Sequence, residues 1–406
     1  MRLTLTQKLI VLSTTLDMFL EGVFVTLPSL NALALPPWAT PAFLSTIPIG
    51  TLLGNLALGR LTDVRGRKRA YMAMLGVYAV GATLVLVTSW VPAVLAGLLI
   101  TQTAMGGEVP IVLSYIVENA PADVKERLVV LVTNVGNVGA VVVSALALAE
   151  GGLSTYAGRV AVGALIGLAL AIMVVTRYMV PESEQWLSLR PEERGRVVLG
   201  AEGPLWLALL SLMAVSSVLT FGLLALEIGP AEFRGVGLQL LVIYFAGEVA
   251  GGAVAAALIE MVGSKSFTLI SFLGGLLTSA VALPAARLGL WPFLSLLFIN
   301  GAFTEAVWAS RNVLESLSFP TTYRGTAIAL VRVAPYVLLL ATFFLLANVS
   351  VYIYMAFATA MWAVGVAASG LWLVKGREGV GMPTPLRPED IMVGIGKRGQ
   401  GTSTNP

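Results

Sequence analysis

The chain has 406 residues, 57% of them hydrophobic and only 12% charged, whereas a soluble globular protein carries about a quarter charged. Mean hydropathy is +0.88, and there is no cysteine or histidine, which excludes disulfide scaffolds, thiol nucleophiles, Cys/His metal centres and any Ser-His-Asp triad. The net charge of +3 signals nucleic acid or membrane topology depending on where the basic residues fall.

A bilayer core about 30 Å thick needs roughly 20 apolar residues of helix. Stretches of that kind lie at about 9–33, 39–59, 70–89, 92–117, 128–149, 158–179, 204–228, 236–258, 267–286, 290–312, 326–347 and 351–374. They predict an all-α polytopic membrane protein with twelve transmembrane helices. The first span lacks the cleavage pattern of a secretory signal and reads as retained. The alternating ten-residue segments of a β-barrel are absent.

Span one carries Asp17 and Glu21, four residues apart and on one face. A charge at a helix centre costs about 2.5–3.5 kcal/mol in the membrane. At least one of the two acids is therefore expected to be protonated at neutral pH, which makes the pair the leading candidate for carrying a proton in a chain without histidine. Glu108 in span four is the next. Asn134 and Asn137 in span five, Asn300 and Glu305 in span ten, and Arg332 in span eleven are candidates for substrate binding. Helix–helix hydrogen bonding accounts for the asparagines equally well. Arg332 hints at an anionic substrate and the acids at cations or protons; Arg332 and Glu305 pairing with other groups to hold helices together is the structural alternative. The 2–3, 4–5 and central connections, the chain start and residues beyond 374 hold most Lys and Arg. The opposite side has only Arg159, Arg234 and Arg287. The positive-inside rule puts both termini in the cytoplasm of a cell-membrane protein and leaves no nucleic-acid patch.

The longest polar connection divides the chain into a six-helix half at 1–180, a central loop at 181–203 and a second half at 204–375. The Gly-, Pro- and charge-rich stretch 376–406 is expected to be a disordered cytoplasmic tail; its Gly394, Gly396 and Gly399 match G-x-G-x-x-G by composition alone. The halves look related. A shift of 197 carries Asp63, Gly66 and Lys68 in the 2–3 loop onto Glu260, Gly263 and Lys265 in the 8–9 loop. A shift of 199 carries Pro121 and Lys125 onto Pro320 and Arg324. Two pseudo-symmetric halves enclosing a mid-membrane site is one layout of secondary transporters.

Gly59, Asp63, Gly66, Arg67 and Lys68 form a G-x-x-x-D-x-x-G-R-K segment that resembles the signature loop of the major facilitator superfamily. Pro181-Glu182-Ser183 with Trp186-Leu187, Glu118-Asn119-Ala120-Pro121, and the 320–326 segment resemble stretches of its sugar-porter and metabolite–proton symporter branches. The chain departs from the sugar porters in span seven, where 211–227 lacks their glutamine pair, and after span twelve, where 375–385 lacks their PET-type segment. The antiporter Gly/Pro motif is absent from 134–152, which favours symport.

Asp63 is expected to accept hydrogen bonds from helix N-terminal N–H groups, and Arg67 to pair with a carboxylate across the half-interface. With Gly59, Gly66, Lys68, Glu118, Lys125, Glu182, Glu260 and Arg324 they form an expected cytoplasmic gating cluster; a topogenic charge cluster is the plain alternative. Trp186 reads either as part of that cluster or as an anchor at the lipid headgroups. The resemblance implies that spans one, four, seven and ten line a cavity, so Asp17, Glu21, Glu108 and Glu305 are expected to face it.

The function expected from all of this is secondary active transport of a small organic solute by alternating access, with proton symport, no cofactor and a single working chain. A proton-coupled exporter of drugs or organic cations is the alternative within transport. A membrane-embedded enzyme lacks a nucleophile–base pair, and no Walker motif offers ATP drive.

Overall fold

In lipid every backbone amide must find its partner within the segment, so apolar runs of this length fold as helices. The computed structural model describes residues 4–34, 40–121, 124–221, 233, 235–345, 350–381 and 384–390. Its first half contains α1 (Leu5–Ala34), α2 (Thr40–Arg65), α3 (Arg67–Val87), α4 (Val91–Asn119), α5 (Lys125–Ala149) and α6 (Tyr156–Met179). The central connection holds a one-turn helix, α7 (Glu184–Leu187), and a 3-10 turn (Pro191–Glu193). The second half contains α8 (Gly203–Phe221), α9 (Gly237–Val262), α10 (Ser264–Ala280), α11 (Ala282–Leu288), α12 (Leu290–Ser318), α13 (Arg324–Val331), α14 (Val333–Leu345) and α15 (Val351–Lys375).

Among the described residues, ten segments are long and apolar enough to cross a membrane, and α10 with α11 makes an eleventh bent by 45°. The remaining expected span, the seventh, begins as α8, and its far part lies outside the described residues. Two spans are broken by proline. Pro284 removes the N–H that would bond near the end of α10, and Pro335 does the same at the break between α13 and α14. That second break falls on Arg332.

The two-fold relation predicted from the loops extends into the packing. Gly50 and Gly54 let α2 lie directly on α4, with Gly54 against the Thr103 carbonyl. Gly247 and Gly251 let α9 lie on α12, against the Phe298 and Ala302 carbonyls. These small-residue pairs are also 197 apart, and small residues are what bring membrane helices together. Between the halves, α5 packs on α9 and α2 packs on α13 and α14. Moving six spans along the chain turns the first contact into the second, as a pseudo-two-fold axis requires.

At the α2–α13 contact, Gly59 faces Gly325 and Ala329 so closely that a Cβ on Gly59 would stand 2.6 Å from the Ala329 Cβ. Gly76, on α3, has nothing within 4 Å of the same position. Gly59→Ala should therefore lower stability by about 1–3 kcal/mol through overpacking. Gly76→Ala should leave it unchanged or slightly raised. Thermal unfolding of the purified variants in detergent checks this, and equal midpoints would refute the close crossing.

Candidate functional site

The site has two parts, a cluster on the face that bears the G-x-x-x-D loop and a cavity above it between the halves. The cluster starts from helix ends. α3 follows Gly66, which has φ +95° and no side chain to cap the helix. Glu182 supplies the cap, accepting from the Arg67 N–H at 2.9 Å and the Lys68 N–H at 3.2 Å. A Cβ on Gly66 would meet that carboxylate at 2.3 Å, so glycine is required for both the dihedral and the approach. α10 is capped in the same manner. Gly263 has φ +85°, and Glu378 accepts from the Ser264 N–H at 2.9 Å. The segment after span twelve thus performs the task of the one after span six, although its sequence has no PET-type match.

α13 also lacks a local side-chain cap. Asp63, from the other half, accepts from the Gly325 N–H at 3.0 Å and from the Thr326 N–H and hydroxyl at 2.7 Å each. Its carboxylate lies where the positive end of the helix dipole favours an anion. Its own backbone carbonyl takes the Trp186 indole N–H at 2.7 Å. Trp186 is buried there under Arg194, whose guanidinium stands 4.0 Å over the ring, so it is not a headgroup anchor.

Glu118 is the electrostatic centre of the cluster. It accepts two hydrogen bonds from Arg67, at 2.9 and 2.6 Å, one from the Ser183 hydroxyl at 2.6 Å, and one from Arg324 at 2.5 Å. Arg67 therefore takes its main carboxylate partner from its own half, and the ion pair across the halves belongs to Arg324. Arg67 reaches across only to the Thr321 carbonyl, at 3.2 Å. The remaining expected members divide. Lys68 donates to the Tyr178 carbonyl at 3.1 Å and Lys125 to the Thr384 hydroxyl at 3.1 Å. Glu260 is exposed at the end of α9 and forms no hydrogen bond or ion pair among the described residues, so it does not join the cluster.

The stretch beyond α15 is not a free tail over its described part. Residues 376–381 and 384–390 cross beneath both halves. The Pro385 carbonyl accepts from the Thr321 N–H and from Arg324, both at 3.0 Å, Glu126 accepts from the Gly381 N–H at 3.1 Å, and Arg387 pairs with Glu193 of the central connection at 2.9 Å. The two hydrogen bonds from Arg387, together with one from the Arg190 N–H, hold the Glu193 carboxyl below the ordinary range. Residues 391–406, with their glycine triplet, lie outside the described residues.

Above the cluster is a cavity of about 190 Å³ whose walls come from both halves. Glu21, Asn137, Glu248, Glu305, Asn312 and Arg332 are among its polar groups, with Met105, Phe245, Trp308 and Tyr336 among the apolar and aromatic walls. Asn137 is within hydrogen-bonding reach of Glu305 and donates to Asn134 at 3.1 Å. Asn134 in turn donates to the Val249 carbonyl across the halves at 3.1 Å, a helix–helix contact rather than a cavity group. Arg332 lines the cavity, yet its charge is committed. It pairs with Glu315, which also holds Arg311 at 2.5 Å, and it donates to the Asn312 side chain at 2.9 Å.

Three expected cavity residues lie elsewhere. Asp17 is buried against α6 in an ion pair with Arg177, whose guanidinium covers the Tyr71 ring at 3.7 Å. Glu108 accepts from the Tyr78 hydroxyl, away from the cavity wall. Asn300 donates to the Thr278 hydroxyl at 2.8 Å and joins α12 to α10. Each has a partner on another helix, and spacing along one chain does not reveal which neighbour that is. Sequence reasoning missed Glu315, Arg177 and Glu378. Glu315 lies within one turn of Arg311, which is the signal that could have found it.

Two consequences can be measured. Glu118→Gln leaves two buried guanidinium groups short of charge and should destabilise the protein by about 3–5 kcal/mol, whereas Arg324→Gln leaves Glu118 its Arg67 partner and should cost less. The chain has no cysteine of its own, so a cysteine placed at Asn55 in the cavity wall reports access from the cluster face by labelling, which both variants should increase. Unchanged labelling would mean that the cluster does not seal this face. The Arg387–Glu193 pair is half-buried, so water and ions reach it and it should weaken in salt. Because the folded Glu193 value is lowered, its contribution is present above the ordinary Glu value of 4.5 and is lost as pH falls through the lowered value. Limited proteolysis near Arg387 should accelerate at high salt, as pH falls below the ordinary Glu range and in Glu193→Gln, and equal rates would show that the pair holds nothing.

The Major Facilitator Superfamily profile matches residues 9–338. The chain is 33% identical over 151 residues to the minor myo-inositol transporter IolF of Bacillus subtilis, covering 37% of this chain and 34% of that protein. It is 29% identical over 165 residues to the glucose transporter GlcP of Staphylococcus epidermidis, covering 38% and 34%. The chain thus matches about a third of the length of these relatives. The fold resembles the proton:xylose symporter XylE bound to 6-bromo-6-deoxy-D-glucose, with TM-score 0.76 and 18% identity over 95% of this chain and 98% of that one. It also resembles FucP in the outward conformation, with TM-score 0.67 and 14% identity over 90% and 99%. A profile spanning four-fifths of the residues, two related helical halves and the 2–3 loop lead to one assignment: the chain is a multi-pass membrane protein and belongs to the major facilitator superfamily.

Proposed function

We propose that the chain is a secondary transporter that moves a small organic solute across the cell membrane by alternating access, coupled to protons in symport. The observation that carries this reading is the cavity between the halves, lined by Glu21, Glu248 and Glu305 and shut at one face by contacts that cross from half to half. The basic residues assign that face to the cytoplasm. Rocking the halves opens it by breaking the Asp63 cap, the Arg324–Glu118 pair and the Gly59–Gly325 crossing together. The contacts made by Glu182 and Glu378 lie within single halves and survive. Similarity to inositol and glucose transporters supports a compact polar solute.

Without histidine, the travelling proton rides on a carboxylate. Glu21 suits that role best. It lines the cavity, forms no ion pair among the described residues, and stands in the field of Arg332. Glu108, bonded to Tyr78, lies within electrostatic range of Glu21 and is a second station for the proton. Asp17 is held by Arg177 and has a positioning role on α1.

Proteoliposomes given glucose, myo-inositol and glucosamine in labelled form test this. Saturable uptake of at least one, concentrated by an inward proton gradient, is the expected result. Glu21→Gln should abolish the concentration while sparing counterflow exchange, which needs no net proton movement. Uptake indifferent to the gradient in the wild type would replace symport with facilitated diffusion.

A further inference from the structure

Buried charges in the interior match one against another. Arg67 and Arg324 are held by Glu118, Arg177 by Asp17, and Arg311 and Arg332 by Glu315. Asp63 caps α13, Glu108 takes the Tyr78 hydroxyl, and Glu305 has Asn137. Glu248 has nothing comparable. It is 7% exposed and lines the cavity. No hydrogen-bond donor or cation reaches it among the described residues, and the charges acting on it are the like charges of Glu305 and Glu21.

Its position is fixed by packing. Gly247 and Gly251, on either side of it, press α9 onto the Phe298 and Ala302 carbonyls of α12, so the helix cannot turn the carboxylate away. The 197-residue shift that relates the halves carries Thr51 onto Glu248, and Thr51 lines the same cavity from the other side. The repeat therefore aims a polar side chain into the cavity from each half, and in the second half that side chain is an acid.

An unneutralised carboxylate buried this far must acquire a proton or a cation. We propose that the cavity binds a solute bearing a protonated amine or guanidinium, received by Glu248 with Glu305 beside it. A cationic nitrogen brings both the missing charge and the missing donors. The Phe245 and Tyr336 side chains in the wall offer ring surface to the same cation, while Thr51, Asn55 and Thr304 suit hydroxyls or amides. An anionic solute finds the Arg332 guanidinium already taken by Glu315. With Glu21 left to the proton, one cation and one proton fit together, as symport requires. This assignment rests on the cavity being the transport site.

Binding of D-glucosamine, putrescine, D-glucose, N-acetyl-D-glucosamine and D-glucuronate to the purified full chain in nanodiscs tests it by calorimetry at neutral pH. At least one of the two amines should bind about tenfold or more tightly than the neutral sugars, the size of one charge-assisted hydrogen bond, and glucuronate most weakly. Glu248→Gln should erase the preference, and Glu248→Asp should keep most of it; if the amide variant does not fold, the wild-type ranking and the Asp variant decide. A neutral sugar or glucuronate binding as tightly as the better amine, no amine binding, or a preference that survives in Glu248→Gln overturns the proposal. Failure of the transport reading looks different: amine-selective binding would persist, with no saturable flux in proteoliposomes.

Discussion

A helix that starts inside a protein leaves its first N–H groups without partners, and burial makes that expensive. α3, α10 and α13 all start this way, after residues that offer no capping side chain. Carboxylates from distant parts of the chain complete them. Glu182 and Glu378 do so within one half each, tying the end of each six-helix unit back to its third helix. Asp63 does so between halves. The same physical need thus produces two staples within single halves and one contact that joins the halves.

The two-fold relation is real in the backbone and selective in the chemistry. By symmetry Glu260 should cap α5 as Asp63 caps α13. It does not, because the first turn of α5 already contains Glu126, whose negative charge lies within range of Glu260. Glu126 instead accepts the Gly381 N–H. Among the described residues the Asp63 cap and the Glu118–Arg324 pair thus lie together on one side of the axis, and the other side is covered by chain from beyond α15.

Much of this was legible in the residues. The all-helical class and the order of the described spans follow from hydropathy and length, and the 2–3 loop announced itself by a spacing of glycine, acid and base that serves a helix start. The repeat was visible in the loops, although the glycine pairs at 50/54 and 247/251 carry the same offset and were not noticed. Partners inside the membrane were not legible. Asp17 and Glu21 share a face by spacing, yet one turn of helix separates a position against α6 from a position on the cavity. Arg332 looked like a free cation because Glu315, seventeen residues earlier, is brought beside it only when α12 and α13 fold against each other. Rotation about the helix axis and the choice of neighbour are tertiary facts, and in an all-apolar setting no amphipathic stripe reports them.

The crossing of residues 384–390 beneath both halves bears on how the molecule is made. Those residues leave the ribosome after α15, yet the Pro385 carbonyl completes the hydrogen bonding of Arg324 and Thr321. The sealed face therefore cannot be finished until synthesis has passed α15 and the following segment has threaded into place. Until then the nascent protein has a cavity one end of which lacks part of its closure, so that barrier is completed only after α15 has been made.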